Sequence, residues 1–255
     1  MIFYLVVFYS MYFVSCLAYP HPYIYLLFKM PYNRVTFLFF IIFNKKMKYI
    51  DIENSLIKLK PIFSNKDIEL AGFKVYPYLL SQWVERGYLK RLRAGLYLFS
   101  KAEVSAEFIA NNLRQPSYIS LEYALYYYNL TVDISFHITS VTAKGTKKII
   151  VDDKAFFYQH VKPAVFTGFV MKQIAGKENV GQKFYLATPE KALVDLFYLN
   201  PNKYKSISDF KEARFHEAEM KNNLDWRGVF SLALLYKNKA LEKRLAVFKD
   251  YIFSF

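Results

Sequence analysis

Pro77-Tyr78-Leu79-Leu80-Ser81-Gln82-Trp83-Val84-Glu85-Arg86-Gly87 runs directly into Tyr88-Leu89-Lys90-Arg91-Leu92-Arg93-Ala94-Gly95-Leu96-Tyr97-Leu98-Phe99. The first half is a helix: Pro77 suits its opening turn and Gly87 ends it. Leu80, Trp83 and Val84 give it an inward face, and Tyr78, Ser81, Gln82 and Glu85 fall at i, i+3, i+4 and i+7 on the outward one. The second half is two short strand-like runs around a tight Arg93-Ala94-Gly95 turn, a β-hairpin. Arg86, Lys90, Arg91 and Arg93 place four cations in eight residues with no acid among them.

Upstream, the spacing predicts a short amphipathic helix over Ile50–Leu59, with Ile52, Leu56 and Leu59 inward and Pro61 beyond its end. Ser64 is an N-cap with Asp67 at N3, and Phe63 and Ile68 stand at the positions of a hydrophobic staple. That predicts a second helix from Asn65 to Ala71, closed by Gly72. Two helices joined by a short turn, the second with a polar stripe, make a helix-turn-helix. With the basic hairpin the reading is a winged helix-turn-helix DNA-binding domain over residues 47–100. Lys74, Tyr78, Ser81, Gln82 and Arg86 belong to its recognition helix and Lys90, Arg91 and Arg93 to its wing. The competing reading is a protein-binding module whose charges are merely solvated.

Composition agrees with a polyanionic partner. The 255 residues carry 35 Lys plus Arg against 21 acids, a net charge of +14. One cysteine, Cys16, excludes an internal disulfide framework and a cysteine zinc site, and four histidines leave little for a metal centre. No glycine run has the spacing of a phosphate-cradling loop, and no cofactor is expected.

Residues 1–46 form a separate, aromatic-rich apolar extension. No acid precedes Asp51, no charge precedes Lys29, and fifteen of the first 43 residues are Phe or Tyr. Ile2–Tyr19 is just long enough to read as a membrane anchor, with Lys29, Arg34, Lys45 and Lys46 holding the next domain in the cytoplasm. The favoured expectation is a mis-assigned start. Phe, Tyr, Ile, Leu, Lys and Asn are what unselected A/T-rich DNA encodes, and Met47 opens an ordinary mixed sequence. A cytoplasmic protein without a membrane partner is the corresponding expectation.

Residues 101–255 read as a mixed α+β domain with a largely antiparallel sheet, so the fold class as a whole is α+β. Ala106–Leu113 is helical, and Ser caps precede a stripe of Leu121, Ala124, Leu125 and Tyr128 that Asn129 closes. Strand patterns come next at Ile134–Ile138, Ile149–Val151, Ala155–Val161, Val165–Met171 and Lys183–Leu186. Thr188-Pro189-Glu190 opens a helix, and further helices are expected over Lys203–Phe215, Asp225–Tyr236 and Lys239–Phe253. No catalytic set emerges. His216-Glu217 lacks the second His of a zinc protease. Asp152-Asp153-Lys154 is a nuclease-like cluster only in outline, and two acids at a hairpin are turn formers. Ser140 with His137, or Ser120 with His160, lacks a strained elbow. In Phe156-Phe157-Tyr158, core packing is a simpler reading than base stacking.

Three stretches carry a family resemblance: Trp83 to Tyr97, Pro116-Ser117-Tyr118-Ile119-Ser120-Leu121-Glu122-Tyr123-Ala124-Leu125, and Thr188-Pro189-Glu190-Lys191-Ala192-Leu193-Val194-Asp195-Leu196. In order and spacing, over roughly residues 50–200, they resemble the AbiEi family of antitoxins. The resemblance implies a bacterial type IV toxin–antitoxin system linked to abortive phage infection. The winged helix would repress its own operon at inverted repeats of operator DNA. The C-terminal antitoxin domain would counter a nucleotidyltransferase-like toxin encoded next door, without a stable direct complex. It implies no catalytic residue and no enzyme. A stand-alone winged-helix transcriptional regulator, a DNA-acting nuclease and a membrane-tethered regulator are the alternatives.

Overall fold

The computed structural model describes residues 48–174 and 182–254. The expectations for residues 1–46 lie outside the described residues. Among those described, no helix is long and apolar enough to cross a membrane.

The chain from Tyr49 forms one compact unit of mixed α+β structure. It opens with α1 (Tyr49–Leu56), β1 (Ile62–Ser64), α2 (Asn65–Leu70), α3 (Pro77–Glu85), β2 (Leu89–Arg93) and β3 (Leu96–Phe99). Three helices and a hairpin appear in the order the sequence predicts, with β1 as an added third strand. The small sheet is antiparallel, in the order β1-β3-β2. Asp67 fixes the start of α2 by accepting from both the backbone N–H and the hydroxyl of Ser64, each at 2.7 Å. Helix α1 is shorter than its pattern. It stops at Leu56, Leu59 is left 85% exposed, and the buried carboxylate of Glu53 takes an inward place. The hydroxyl of Tyr49 (2.8 Å) and the ammonium of Lys101 (3.1 Å) both donate to Glu53.

The second part holds α4 (Ala106–Leu113), β4 (Ser117–Ile119), α5 (Leu121–Tyr127), β5 (Ile138–Thr142), β6 (Lys147–Val151), β7 (Lys154–His160), β8 (Phe169–Gln173) and β9 (Lys183–Ala187). Five helices complete it: α6 (Pro189–Leu199), α7 (Ile207–Glu212), α8 (Glu217–Asn223), α9 (Trp226–Leu235) and α10 (Lys239–Phe253). The six strands run in the order β6-β7-β5-β4-β9-β8. The pairs β6–β7, β4–β5 and β8–β9 are antiparallel, while β5–β7 and β4–β9 are parallel. The sheet is therefore mixed at its centre and antiparallel at both edges. The Tyr158 hydroxyl reaches a carbonyl of α4 on one face, and the Tyr118 hydroxyl reaches α6 on the other.

Several boundaries differ from the sequence pattern for local reasons. Ile134 and Phe136 alternate with polar residues yet precede the strand, and Phe136 is 84% exposed. Pro163–Val165 forms a 3-10 turn, so β8 begins only at Phe169, after Gly168. The expected helix Lys203–Phe215 keeps only Ile207–Glu212. Ser206 and Asp209 cap its start, Arg214 turns the chain at a positive φ, and Phe215 bridges Thr131. Helix α8 and strands β1 and β4 have no counterpart in the sequence reading.

Candidate nucleic-acid interface

Helix α3 is built as its sequence dictates. Leu80 and Trp83 are buried, while Tyr78, Ser81, Gln82 and Glu85 are exposed on the other side. Arg86 caps the helix with its backbone N–H on the Gln82 carbonyl (3.0 Å), and Gly87, at φ +74, turns the chain into β2. Tyr78 stacks on Tyr76 (6.0 Å between ring centres), and Lys74 lies 5.9 Å from the Tyr76 ring centre. All eight residues assigned from the sequence to the recognition helix and wing are exposed.

The hairpin sorts its cations in a way the sequence conceals. Cross-strand partners share a face of a sheet. Leu89 pairs with Phe99, Arg91 with Tyr97, and Phe63 with Tyr97, so these residues share the face that packs on the module's own helices. Lys90 pairs with Leu98 on the opposite face. Arg93 should share a face with Arg91, but the register shifts between them and Arg93 pairs with Leu96. A bulge at Leu92 thus moves Arg93 to the side of Lys90.

That second face is covered. Ile62, Leu92, Leu96 and Leu98 belong to the same apolar core as Ala110, Leu113 and Tyr118 of the C-terminal domain. Arg93 Nε donates to the Leu113 carbonyl at 2.9 Å. Lys90 Nζ lies 2.5 Å from Asp152 Oδ2 at the β6–β7 turn. Arg86 and Arg91 make no side-chain hydrogen bond or ion pair among the described residues. Helix α3 packs on β2, which puts Arg91 on the α3 side of the sheet. The geometry therefore groups Lys74, Tyr78, Ser81, Gln82, Arg86 and Arg91, and holds Lys90 and Arg93 against the C-terminal domain.

The two motif stretches of that domain meet in its interior. Lys191 and Asp195, both fully buried, lie one turn apart on α6 and pair at 2.9 Å. Asp195 Oδ1 accepts from Lys191 and from the Tyr236 hydroxyl. Its Oδ2 accepts from Tyr118 and Ser120, each at 2.9 Å. Lys191 also donates to the Val165 carbonyl at 2.9 Å and to the Tyr236 hydroxyl. Burial pulls the Lys191 ammonium below the usual lysine range, against the pull of Asp195. Burial and then the Asp195 charge push the hydroxyls of Tyr118 and Tyr236 far above the usual tyrosine range. Four donors saturate a carboxylate, so this cluster ties β4, α6 and the end of α9 together. Sequence reasoning missed the pair. Its signal was opposite charges at i, i+4 around the apolar run Ala192 to Val194.

The remaining candidates separate. The Ser120 hydroxyl points to Asp195 and that of Ser140 has no partner among the described residues, so neither engages a histidine there. The backbone is strained directly after Ser120, with Leu121 at φ +61, contrary to the sequence expectation, but the serine is fully buried. Asp152 and Asp153 form the β6–β7 turn, with Asp152 at φ +51. Phe156 and Tyr158 are core residues, whereas Phe157 is half-buried. It lies between His137 (5.4 Å between ring centres) and Lys148 (5.2 Å) in a cleft of about 850 Å³. No group of three or more potential metal ligands occurs among the described residues.

No protein-family model matches the chain, and no curated protein does. Among solved structures it is similar to the crystal structure of the RV2827C protein from Mycobacterium tuberculosis, with 12% identity and a TM-score of 0.48. The similarity covers 79% of this chain and 75% of that one.

Proposed function

We propose that the chain is a DNA-binding regulator whose first module is a winged helix, acting as antitoxin and autorepressor of a type IV toxin–antitoxin pair. The observation that carries the DNA-binding reading is the exposed face of α3. Its polar stripe of Tyr78, Ser81 and Gln82 lies beside Arg86 and Arg91, which are unpaired among the described residues, with Glu85 the sole acid from Pro77 to Phe99. Polar side chains on such a helix read base edges in the major groove, and the guanidiniums grip phosphate. The antitoxin half of the proposal rests on the resemblance of the motif stretches. The structure supports for them an architectural part, since they converge on a saturated, buried cluster with no open reacting group.

The test is a salt titration of binding to the duplex upstream of the reading frame and to a scrambled duplex. Each phosphate contact adds about 0.9 to the magnitude of the slope of log K against log salt. Arg86→Ala and Arg91→Ala should each lower the slope by about that amount on both duplexes. Gln82→Ala should lower the specific-to-random ratio by about 1–3 kcal/mol with little change in slope. Unchanged slopes in both arginine variants would favour the protein-binding reading of the module. Rescue of growth against the product of the adjacent gene tests the antitoxin half.

A further inference from the structure

The ion pair between Lys90 and Asp152 joins the wing to the C-terminal domain and takes one of the wing cations out of reach of DNA. We propose that Asp152 is an internal competitor of the DNA backbone for Lys90, so that the β6–β7 turn sets part of the affinity for DNA. The inference rests on the DNA-binding function proposed for the first module.

Three observations carry it. First, Lys90 adjoins Arg91 on the bulged strand of the basic hairpin but stands on its other face, where its half-exposed ammonium sits 2.5 Å from a carboxylate oxygen. A lysine is a compact point charge. Held on Asp152, it has no charge left over for a phosphate oxygen. Second, the carboxylate is placed by the sheet. Val151 pairs with Lys154 across a tight turn, and Asp152 occupies its positive-φ position. Third, the side chains of Lys90 and Asp152 are 45% and 57% exposed, so the pair is weak enough to open when a phosphate arrives. Arg93 differs. Its Nε is held by a neutral carbonyl at the edge of the shared core, and it makes no ion pair among the described residues.

Coupling of this kind is reciprocal. A partner that draws Asp152 away tightens DNA binding, and DNA that captures Lys90 releases Asp152 to the partner. The β6–β7 turn thereby becomes the point at which events on the C-terminal domain are felt by the wing.

The experiment uses the full chain with Asp152→Asn, Asp153→Asn, Lys90→Ala and the Lys90→Ala/Asp152→Asn double variant. All are titrated with salt on the upstream and scrambled duplexes, and thermal melts check that each is folded. Asp153 is exposed and makes no ion pair among the described residues, so its substitution removes the same charge one residue away. Asp152→Asn is expected to steepen the slope by about 0.9 and to raise affinity about fivefold to tenfold at about 0.1 M salt on both duplexes. Asp153→Asn should stay within about twofold at unchanged slope, since this exposed carboxylate holds no cation among the described residues. Lys90→Ala should leave the slope near wild type and abolish the effect of Asp152→Asn. The proposal is overturned if Asp152→Asn matches Asp153→Asn, or if its gain persists without Lys90. A wild type that binds neither duplex would instead remove the DNA-binding reading, and the competitor role with it.

Discussion

Lys191→Met is the sharpest test of what the two C-terminal motif stretches are for. The substitution keeps the aliphatic stem and removes the ammonium that donates to Asp195 Oδ1 and to the Val165 carbonyl, both at 2.9 Å. Asp195 would keep the hydroxyls of Tyr118, Ser120 and Tyr236 but lose its countercharge, while remaining fully buried. Breaking a buried pair from one side costs about 3–5 kcal/mol. In a unit of this size each kcal/mol lowers the melting temperature by about 2–4 °C, so the expected loss is about 6–20 °C. Circular-dichroism melts near neutral pH measure it. Adding Asp195→Asn should restore much of the loss, since a neutral amide needs no countercharge. A fall of less than about 2 °C in the single variant, under about 1 kcal/mol, would mean that the pair is not a structural tie and would refute the reasoning.

Gly168→Ala tests the space around the same lysine. Gly168 sits at φ +76, and a Cβ there would lie 3.1–3.2 Å from the stem carbons of Lys191, so a loss of about 1–3 kcal/mol is expected in urea titration. A neutral result would show that β8 can shift away from α6. Stability should also fall once the pH rises above about 10, the ordinary tyrosine value. Burial, the largest cause in each, holds Tyr118, Tyr158, Tyr204 and Tyr236 above that value in the folded state. Their contribution is complete below the unfolded value and is lost as unfolded tyrosines ionise first. A flat melting temperature from about pH 9 to about pH 11 would contradict it.

The parts of this chain that were legible in its sequence are those set by neighbours along the chain. Helix α3, its outer stripe, the hairpin after it and the cap of α2 arise from local spacing, and so do α4, α9 and α10. The illegible parts depend on distant partners. Three residues, Ser117 to Ile119, are too few for an alternating pattern, yet they form a central strand because β5 and β9 flank them. Ile134 and Phe136 alternate like a strand but lie outside every strand pairing among the described residues. On the candidate interface, local spacing placed Arg86 at the end of α3 and Lys90, Arg91 and Arg93 on the first strand of the hairpin. It could not place Arg93 on a face, because one bulged residue inverts the period of two. Lys191 and Asp195 stand on a helix whose start was legible, but only its packing shows that both charges point inward.

The two-faced sheet of the first module bears on how such a protein can be inherited. A regulator on a free hinge can be exchanged between relatives at the hinge, because neither side depends on the other. Here a cut near Ser100 would strand Ile62, Leu92, Leu96 and Leu98 without the residues that cover them. A viable exchange has to carry both sides of that seam together. Lineages that change the exposed face of α3 should therefore do so by replacing single residues there while leaving the covered face of the β1-β3-β2 sheet intact.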